Sequence, residues 1–314
     1  MSDTQKSYLF HTAVVVLLAG LFFVISEYSA GRLARIMVLA VYAMGYNLLF
    51  GYTGLLSLGH AMFFAAGIYG FGMSVSLLGL PAGAGVVVGT AAAGVLAAVV
   101  GLLALRTRGV AFMIITLMFA QVGYLVILYL GDYTRGDEGF VIQPVQRVIA
   151  GVDFSAEAVR YWAALLLFAL CLLGTALLIT SPVGRALIAV RENEERAGML
   201  GYDTHGLKYF AVILSALLSG LAGAAYGLLF GYVGATFATV QYSILALLWV
   251  LLGGAGTTIG PLIGVFFMSY LIDLSSALTD AYLFIAGLAL VLLTLFAPQG
   301  IAGEIRRRGA RWLP

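Results

Sequence analysis

The sequence predicts an all-α, polytopic transmembrane helical bundle that forms a single domain over residues 1–314, and three observations predict it. The chain is 62% hydrophobic and only 10% charged, far below the roughly 25% charged residues of soluble domains. Apolar blocks recur at or near the roughly 20 residues that a helix needs to cross a bilayer. Lysine and arginine gather in alternate loops, as expected of spans that thread a membrane back and forth.

The blocks lie near 8–26, 33–50, 61–79, 85–105, 110–130, 161–180, 207–230, 242–253, 261–272 and 281–297. The first reads as a retained helix rather than a cleaved leader. It is longer than a leader's apolar core, only Lys6 precedes it, and no small-x-small site follows. The eighth and ninth are short and are separated by the glycine-rich link 253–261, so they are either extended spans or a broken, partly re-entrant pair. The turn at 51–60 poses the same question after the second block. Irregular backbone at such depth survives only under protein cover or beside a cavity. The expected count is eight to ten spans.

Two stretches match each other. Residues 46–54, YNLLFGYTG, and 226–234, YGLLFGYVG, are identical at seven of nine positions. They close the second and the seventh blocks, five crossings apart, so they face opposite ways. Inverted-topology repeats with a pathway at their interface have this arrangement. Chance alone can also match nine residues in a chain this rich in Leu, Gly and Tyr.

Alternation puts the loop at Arg106 and Arg108, the loop 181–206 and the tail Arg306, Arg307, Arg308 and Arg311 on one side. These basic loops mark the cytoplasm, so both termini are expected there. The 131–160 loop, in which five acids face three arginines, then faces outward. It can meet a solute-binding protein or simply be solvated. Arg32 and Arg35 are the discordant pair, falling at the outer side. Trp162 and Trp312 suit interfacial anchors.

The segment 184–208 is the longest run dense in both charge signs. It holds Arg185, Arg191, Arg196 and Lys208 against Glu192, Glu194, Glu195 and Asp203. No proline and one glycine lie between Arg185 and Leu200, which predicts a single helix there. Such a helix cannot lie in lipid and must meet water or a partner. Ala197 permits close approach, and Gly201 can end the helix in the left-handed conformation.

The chemical motifs are mostly missing. No phosphate-cradling G-x-x-x-x-G-K-[ST] loop is present. His11, His60 and His205 are far apart and form no zinc set, and Cys171 is the one cysteine. No Ser/His/Asp spacing suggests catalysis, and no acid pair lies within a span. Asp273, nearest to an intramembrane carboxylate, falls at a segment end. The expectation is no enzymatic activity, no cofactor and no nucleic-acid partner; either energy is supplied from elsewhere or the protein is a passive pore.

The runs NLLFGYTGLLSLGHAMFFAAGIYG (47–70), SPVGRALIAVRENEERAGMLGYD (181–203) and LLGGAGTTIGPLIG (251–264), in this order and spacing, closely resemble permease subunits of bacterial ABC importers for branched-chain amino acids. The match is to the M-type member of the Liv permease pair and covers most of the chain. The family's cytoplasmic E-A-A-x-x-x-G loop is met by Glu195, Ala197 and Gly201, with Arg196 replacing the central alanine. The resemblance implies an inner-membrane permease in which Arg185, Arg191, Glu192, Asn193, Glu195, Ala197 and Gly201 couple to ATPases. It also implies a second permease subunit, two ATPase subunits that bind the ATP, and a periplasmic solute-binding protein. Gly51, Tyr52, Thr53, Gly54, Ser57 and Gly59 are the candidate pathway residues, with close helix packing as the competing role; His60 reads as structural. Urea, short amides or other acids as solute, a secondary carrier or channel, and a membrane enzyme are the alternatives.

Overall fold

The computed structural model describes residues 3–276, 281, 284, 285, 287, 288, 291, 292, 295, 297 and 299–308. It is 79% helical. The helices are α1 (Asp3–Leu21), α2 (Glu27–Asn47), α3 (Ala61–Ser76), α4 (Ala82–Ala104), α5 (Val110–Tyr129), α6 (Gly131–Thr134), α7 (Glu157–Thr180), α8 (Pro182–Glu192), α9 (Glu194–Met199), α10 (Thr204–Phe230), α11 (Val240–Gly253), α12 (Gly260–Ser276) and α13 (Gly300–Arg308). Among the described residues, five segments are long and apolar enough to cross a membrane: 27–52, which includes α2, and α4, α5, α7 and α10. The tenth block expected from the sequence, 281–297, falls for the most part outside the described residues, as does Trp312.

Helix α2 is the hub. It packs between α7, α10, α11 and α12, and its second half, from Ile36 to Asn47, is buried throughout. Chain directions follow from cross-helix contacts. Ser215 Oγ donates to the Gly45 carbonyl at 2.6 Å, while the Arg35 guanidinium lies 5.3 Å from the Phe230 ring centroid. Helices α2 and α10 are therefore antiparallel. Small residues let backbones touch. A Cβ on Gly67 would meet the backbone of Gly220, one on Gly220 the methyl of Ala93, and one on Gly89 the carbonyl of Gly67. These contacts lock α3, α4 and α10 together. By contrast α4 and α5 bury only 28% and 17% of their apolar windows. Their outward rows, such as Val87 and Val95 or Met118 and Val122, suit lipid or a second membrane subunit.

Two helices begin inside the bundle. Before α3 the chain runs irregularly from 53 to 60, and its starting residue His60 is fully buried against Tyr42, Tyr46 and Ser219. Before α11 the chain likewise leaves α10, turns at Gly231 (φ 74°) and passes through a 3-10 turn at Ala235–Ala238. The two starts meet: the Ala61 N–H donates to Ser243 Oγ at 2.8 Å. An offset of 180 residues relates the matched stretches, and it carries the start of α3 to within one residue of the start of α11. Both halves thus share the order long helix, irregular segment, short helix, with the long helices antiparallel. Local geometry is not copied. Helix α2 overruns into a π turn at Leu48–Tyr52 and bends at Gly54 (φ 78°), whereas α10 stops at Gly231.

The 131–156 stretch carries α6 and three two-residue strands, which an all-helical reading does not anticipate. Strand β1 (Phe140–Val141) pairs antiparallel with β4 (Tyr232–Val233), and β2 (Val148–Ile149) with β3 (Val152–Asp153). The first pairing ties this loop to the second matched stretch. In it the Ser155 hydroxyl and amide both donate to Asp153, holding that carboxyl below its ordinary range. Arg32 pairs with Asp273 at this same end of the bundle.

Candidate functional site

The end of the bundle opposite that loop collects the basic loops. The tight turn into α8 needs Gly184, because a Cβ there would strike the backbone of Leu178 and Ile179. Ser181 caps α8 by accepting from the Gly184 N–H at 3.2 Å, and Pro182 fills its first position, which suits a ring with no N–H to lose. Ala186, Leu187 and Val190 form the buried face. The Arg185 guanidinium donates to the Thr180 carbonyl at 3.1 Å, back along the chain.

The single helix expected from Arg185 to Leu200 is instead two. Asn193 is extended (φ −161°, ψ 103°), and its side chain accepts from the Arg196 N–H at 2.8 Å. A fresh N-cap is thereby made, with Glu194 and Glu195 in the favourable first turn. Continuing the helix through Asn193 would forgo this cap. Gly201 does end α9 in the left-handed region (φ 90°). The Tyr202 N–H reaches the Ala197 carbonyl at 3.2 Å and the Gly201 N–H the Gly198 carbonyl at 3.0 Å, a Schellman closure. Ala197 is buried, and Lys208 at the start of α10 pairs with Glu194 at 2.5 Å. Glu192, Glu195 and Arg196 are exposed. So are Met199 and Leu200, at 82% and 72%, an apolar tip that charge counting overlooks; its signal is the pair of large apolar residues beside Gly201.

The matched stretch 46–54 ends beside α8, at one end of the bundle. The two copies lie at opposite ends of the bundle, Gly51 against Arg191 and Gly231 against Arg147. A Cβ on Gly51 would meet Asn47 Oδ1 and the Gly256 amide, and one on Gly59 the Thr116 carbonyl. Ser57 is buried, its Oγ accepting from the Gly59 N–H at 3.3 Å and its carbonyl taking the Tyr46 hydroxyl at 2.9 Å. Thr53 Oγ1 donates to the Leu48 carbonyl at 3.0 Å. The backbone groups freed by the break are thus largely taken by neighbouring hydroxyls.

Two openings lie beside this stretch. A cleft of about 470 Å³ is lined by Thr53, Gly54, Arg108, Asn193 and Glu195. A basin of about 710 Å³ is lined by Tyr52, Arg191, Gly256, Gln299 and Arg306. Of the candidate pathway residues, Tyr52, Thr53 and Gly54 face these spaces, while Gly51, Ser57 and Gly59 serve close packing. The Tyr52 hydroxyl has no hydrogen-bond partner among the described residues. The last described helix, α13, closes the basin. In it Arg307 and Arg308 both bind Glu304 at 2.7 and 2.6 Å and hold its carboxyl below the ordinary range. Arg306 is left to donate to the Gly256 carbonyl at 3.3 Å.

The fold is thus a bundle of membrane-length helices in which two short helices begin inside, with a capped helix pair on its basic side. The chain belongs to the family of branched-chain amino acid transport system permease components, whose model matches residues 28–296. It is a permease subunit of an ABC transporter. Among relatives, the high-affinity branched-chain amino acid transport system permease protein LivM of Escherichia coli (strain K12) is 28% identical over 95% of this chain and 76% of its own length. The protein of that name from Salmonella typhimurium is also 28% identical, over the same shares. The autoinducer 2 import system permease protein LsrC of Photorhabdus laumondii is 28% identical over 38% of both chains. No solved structure matches.

Proposed function

We infer that this chain imports branched-chain amino acids across a bacterial inner membrane as one of two related permease subunits, powered by two separate ATPases and fed by a periplasmic solute-binding protein. The observation that carries this reading is the capped α8–α9 pair on the basic side of a bundle similar over 95% of its length to permeases named for that solute. Glu195, Ala197 and Gly201, with the exposed Met199 and Leu200, form a compact projection that suits a groove on an ATPase. Arg185, Arg191, Glu192 and Asn193 build its base. Nucleotide stays with the ATPases, and the chain itself needs no cofactor. Tyr52, Thr53 and Gly54 line the solute's exit at the cytoplasmic mouth. Lipid and the second permease cover α4 and α5.

The test is uptake by vesicles holding the reconstituted complex. ATP-dependent accumulation of leucine, isoleucine or valine is expected, and accumulation of urea or another solute in their place would reassign the cargo. Gly201→Val probes the docking element directly. A Cβ at Gly201 meets nothing within 4 Å, so its cost is backbone strain alone, about 1–2 kcal/mol for a left-handed residue. The expected result is full membrane insertion with weakened ATPase co-purification. Normal co-purification and uptake would remove the docking role.

Orientation has its own test. In this reading both termini and α8–α9 are cytoplasmic, and the 131–156 loop is periplasmic. Val145 is 80% exposed and the native Cys171 is buried, so background labelling is low. Val145→Cys should react with an impermeant thiol reagent in intact cells. Glu195→Cys should react only in inverted vesicles stripped of ATPase. The opposite pattern would turn the topology over.

A further inference from the structure

The arginine that closes α8 is an exposed residue whose guanidinium reaches back onto a carbonyl oxygen of the bundle. Arg191 Nη1 donates to the Gly51 carbonyl, in the π turn that ends α2. The same nitrogen lies 2.7 Å from where a Cβ of Gly256 would sit. Gly256 belongs to the link between α11 and α12, and that link is gripped from several directions. Asn47 Oδ1 accepts from the Gly256 N–H, and Asn47 Nδ2 donates to the Thr257 carbonyl, both at 2.9 Å. Arg306 holds the Gly256 carbonyl, and His11 Nε2 meets Thr258 Oγ1 at 2.6 Å. Gly54 rests on the Arg191 side chain, its Cβ position 3.1 Å from Cγ. No carboxylate pairs with Arg191 among the described residues.

The position of these contacts in the two halves gives them meaning. Gly51 lies in the π turn that ends the long helix of the first half, and Gly256 lies in the link after the short helix of the second. Arg185 returns to its own turn and Glu194 to the start of α10. Arg191 meets both halves at once, through the Gly51 carbonyl and beside Gly256. A π turn leaves the helix's regular hydrogen-bond pattern and so offers a carbonyl to an outside donor. Beyond it α2 is a rigid rod packed on four other helices, so a displacement at its end moves the rod as a unit.

We propose that Arg191 is the positioning residue that transmits movement of the α8–α9 pair to both halves of the bundle, by holding the Gly51 carbonyl and the Gly256 link together. This rests on the ABC permease reading above and adds to it the contact that carries the stroke. Docking and transmission are then separate tasks: the projection around Ala197 and Gly201 docks, and Arg191 transmits.

The test uses the complete transporter in liposomes, comparing Arg191→Met with Arg191→Lys. The readout is solute taken up per ATP hydrolysed, normalised to assembled complex. Arg191→Met should co-purify with the ATPases at wild-type stoichiometry and still hydrolyse ATP. Its uptake per ATP should fall by about tenfold, within the range of typical coupling free energies. Arg191→Lys keeps a cationic donor of similar reach and should recover part of the ratio. A merely structural arginine would lower the amount of complex and leave the ratio alone. An unchanged ratio in Arg191→Met, or a lysine variant no better than methionine, overturns the proposal. So does loss of ATPase co-purification in Arg191→Met, which would make the residue a docking contact. If the unaltered chain itself recruits no ATPase, the permease reading falls instead.

Discussion

Gly67→Leu is expected to yield almost no folded permease. A Cβ at this position overlaps the Cα, carbonyl carbon and oxygen of Gly220, which are backbone atoms and cannot swing aside like a side-chain tip. Helices α3 and α10 would have to separate. The Gly89 contact, in which α4 rests on the Gly67 carbonyl, would open with them. Overpacking a tight core costs about 1–3 kcal/mol and more where backbones must move; three helices are displaced here, so the upper end or beyond is expected. The control is Gly123→Leu on α5, where a Cβ meets nothing within 4 Å. Size-exclusion profiles of the two variants in detergent, at matched expression, make the comparison. Equal recovery of monodisperse protein would show that α3 and α10 do not depend on this contact.

The lengths of the apolar blocks and the placement of the charged loop were legible because lipid imposes them directly on composition. The seven-residue identity between the matched stretches also pointed to two related halves, and the antiparallel α2 and α10 share that order of elements. Depth was not legible. Nothing local tells whether YNLLFGYTG lies midway or at an end, since the groups that answer it, Arg191 and Gly256, are distant in sequence. The same holds for the direction of Arg191. In a charged run it reads as one more solvent-facing cation, and its partner is a carbonyl 140 positions away. The break at Asn193 did carry a signal. Asn followed by Glu194 and Glu195 is the pattern of a new helix start, but the continuous charge pattern masked it. The half-depth start of α3 was signalled too, by glycines at 51, 54 and 59 ahead of a buried His60. Which hydroxyls would satisfy the freed backbone, Ser243 for Ala61 and Thr116 for Leu58, depends on tertiary packing alone.

Asn47→Leu should be nearly as damaging, through polarity rather than volume. Asn47 is 2% exposed, and its amide satisfies the Gly256 N–H and the Thr257 carbonyl together. Gly256 and Thr257 are themselves buried. Leucine offers neither donor nor acceptor, so both buried backbone groups lose their partner. An unsatisfied buried group costs about 1–3 kcal/mol, and two of them would remove a large part of a fold's net stability. The 253–260 link would relax away from α2, and the Gly256 carbonyl would drift from Arg306. Thr53→Val is the comparison, because it removes a buried hydroxyl whose bond runs only to the Leu48 carbonyl of its own turn. Thermal unfolding of the purified subunit should show a much larger fall in Tm for Asn47→Leu than for Thr53→Val. Uptake by reconstituted complex should fall in the same order. If the two variants unfold together, the link between α11 and α12 is held by its glycine packing against α13, with Gly254 on Gly303 and Gly300, and the Asn47 bridge is incidental.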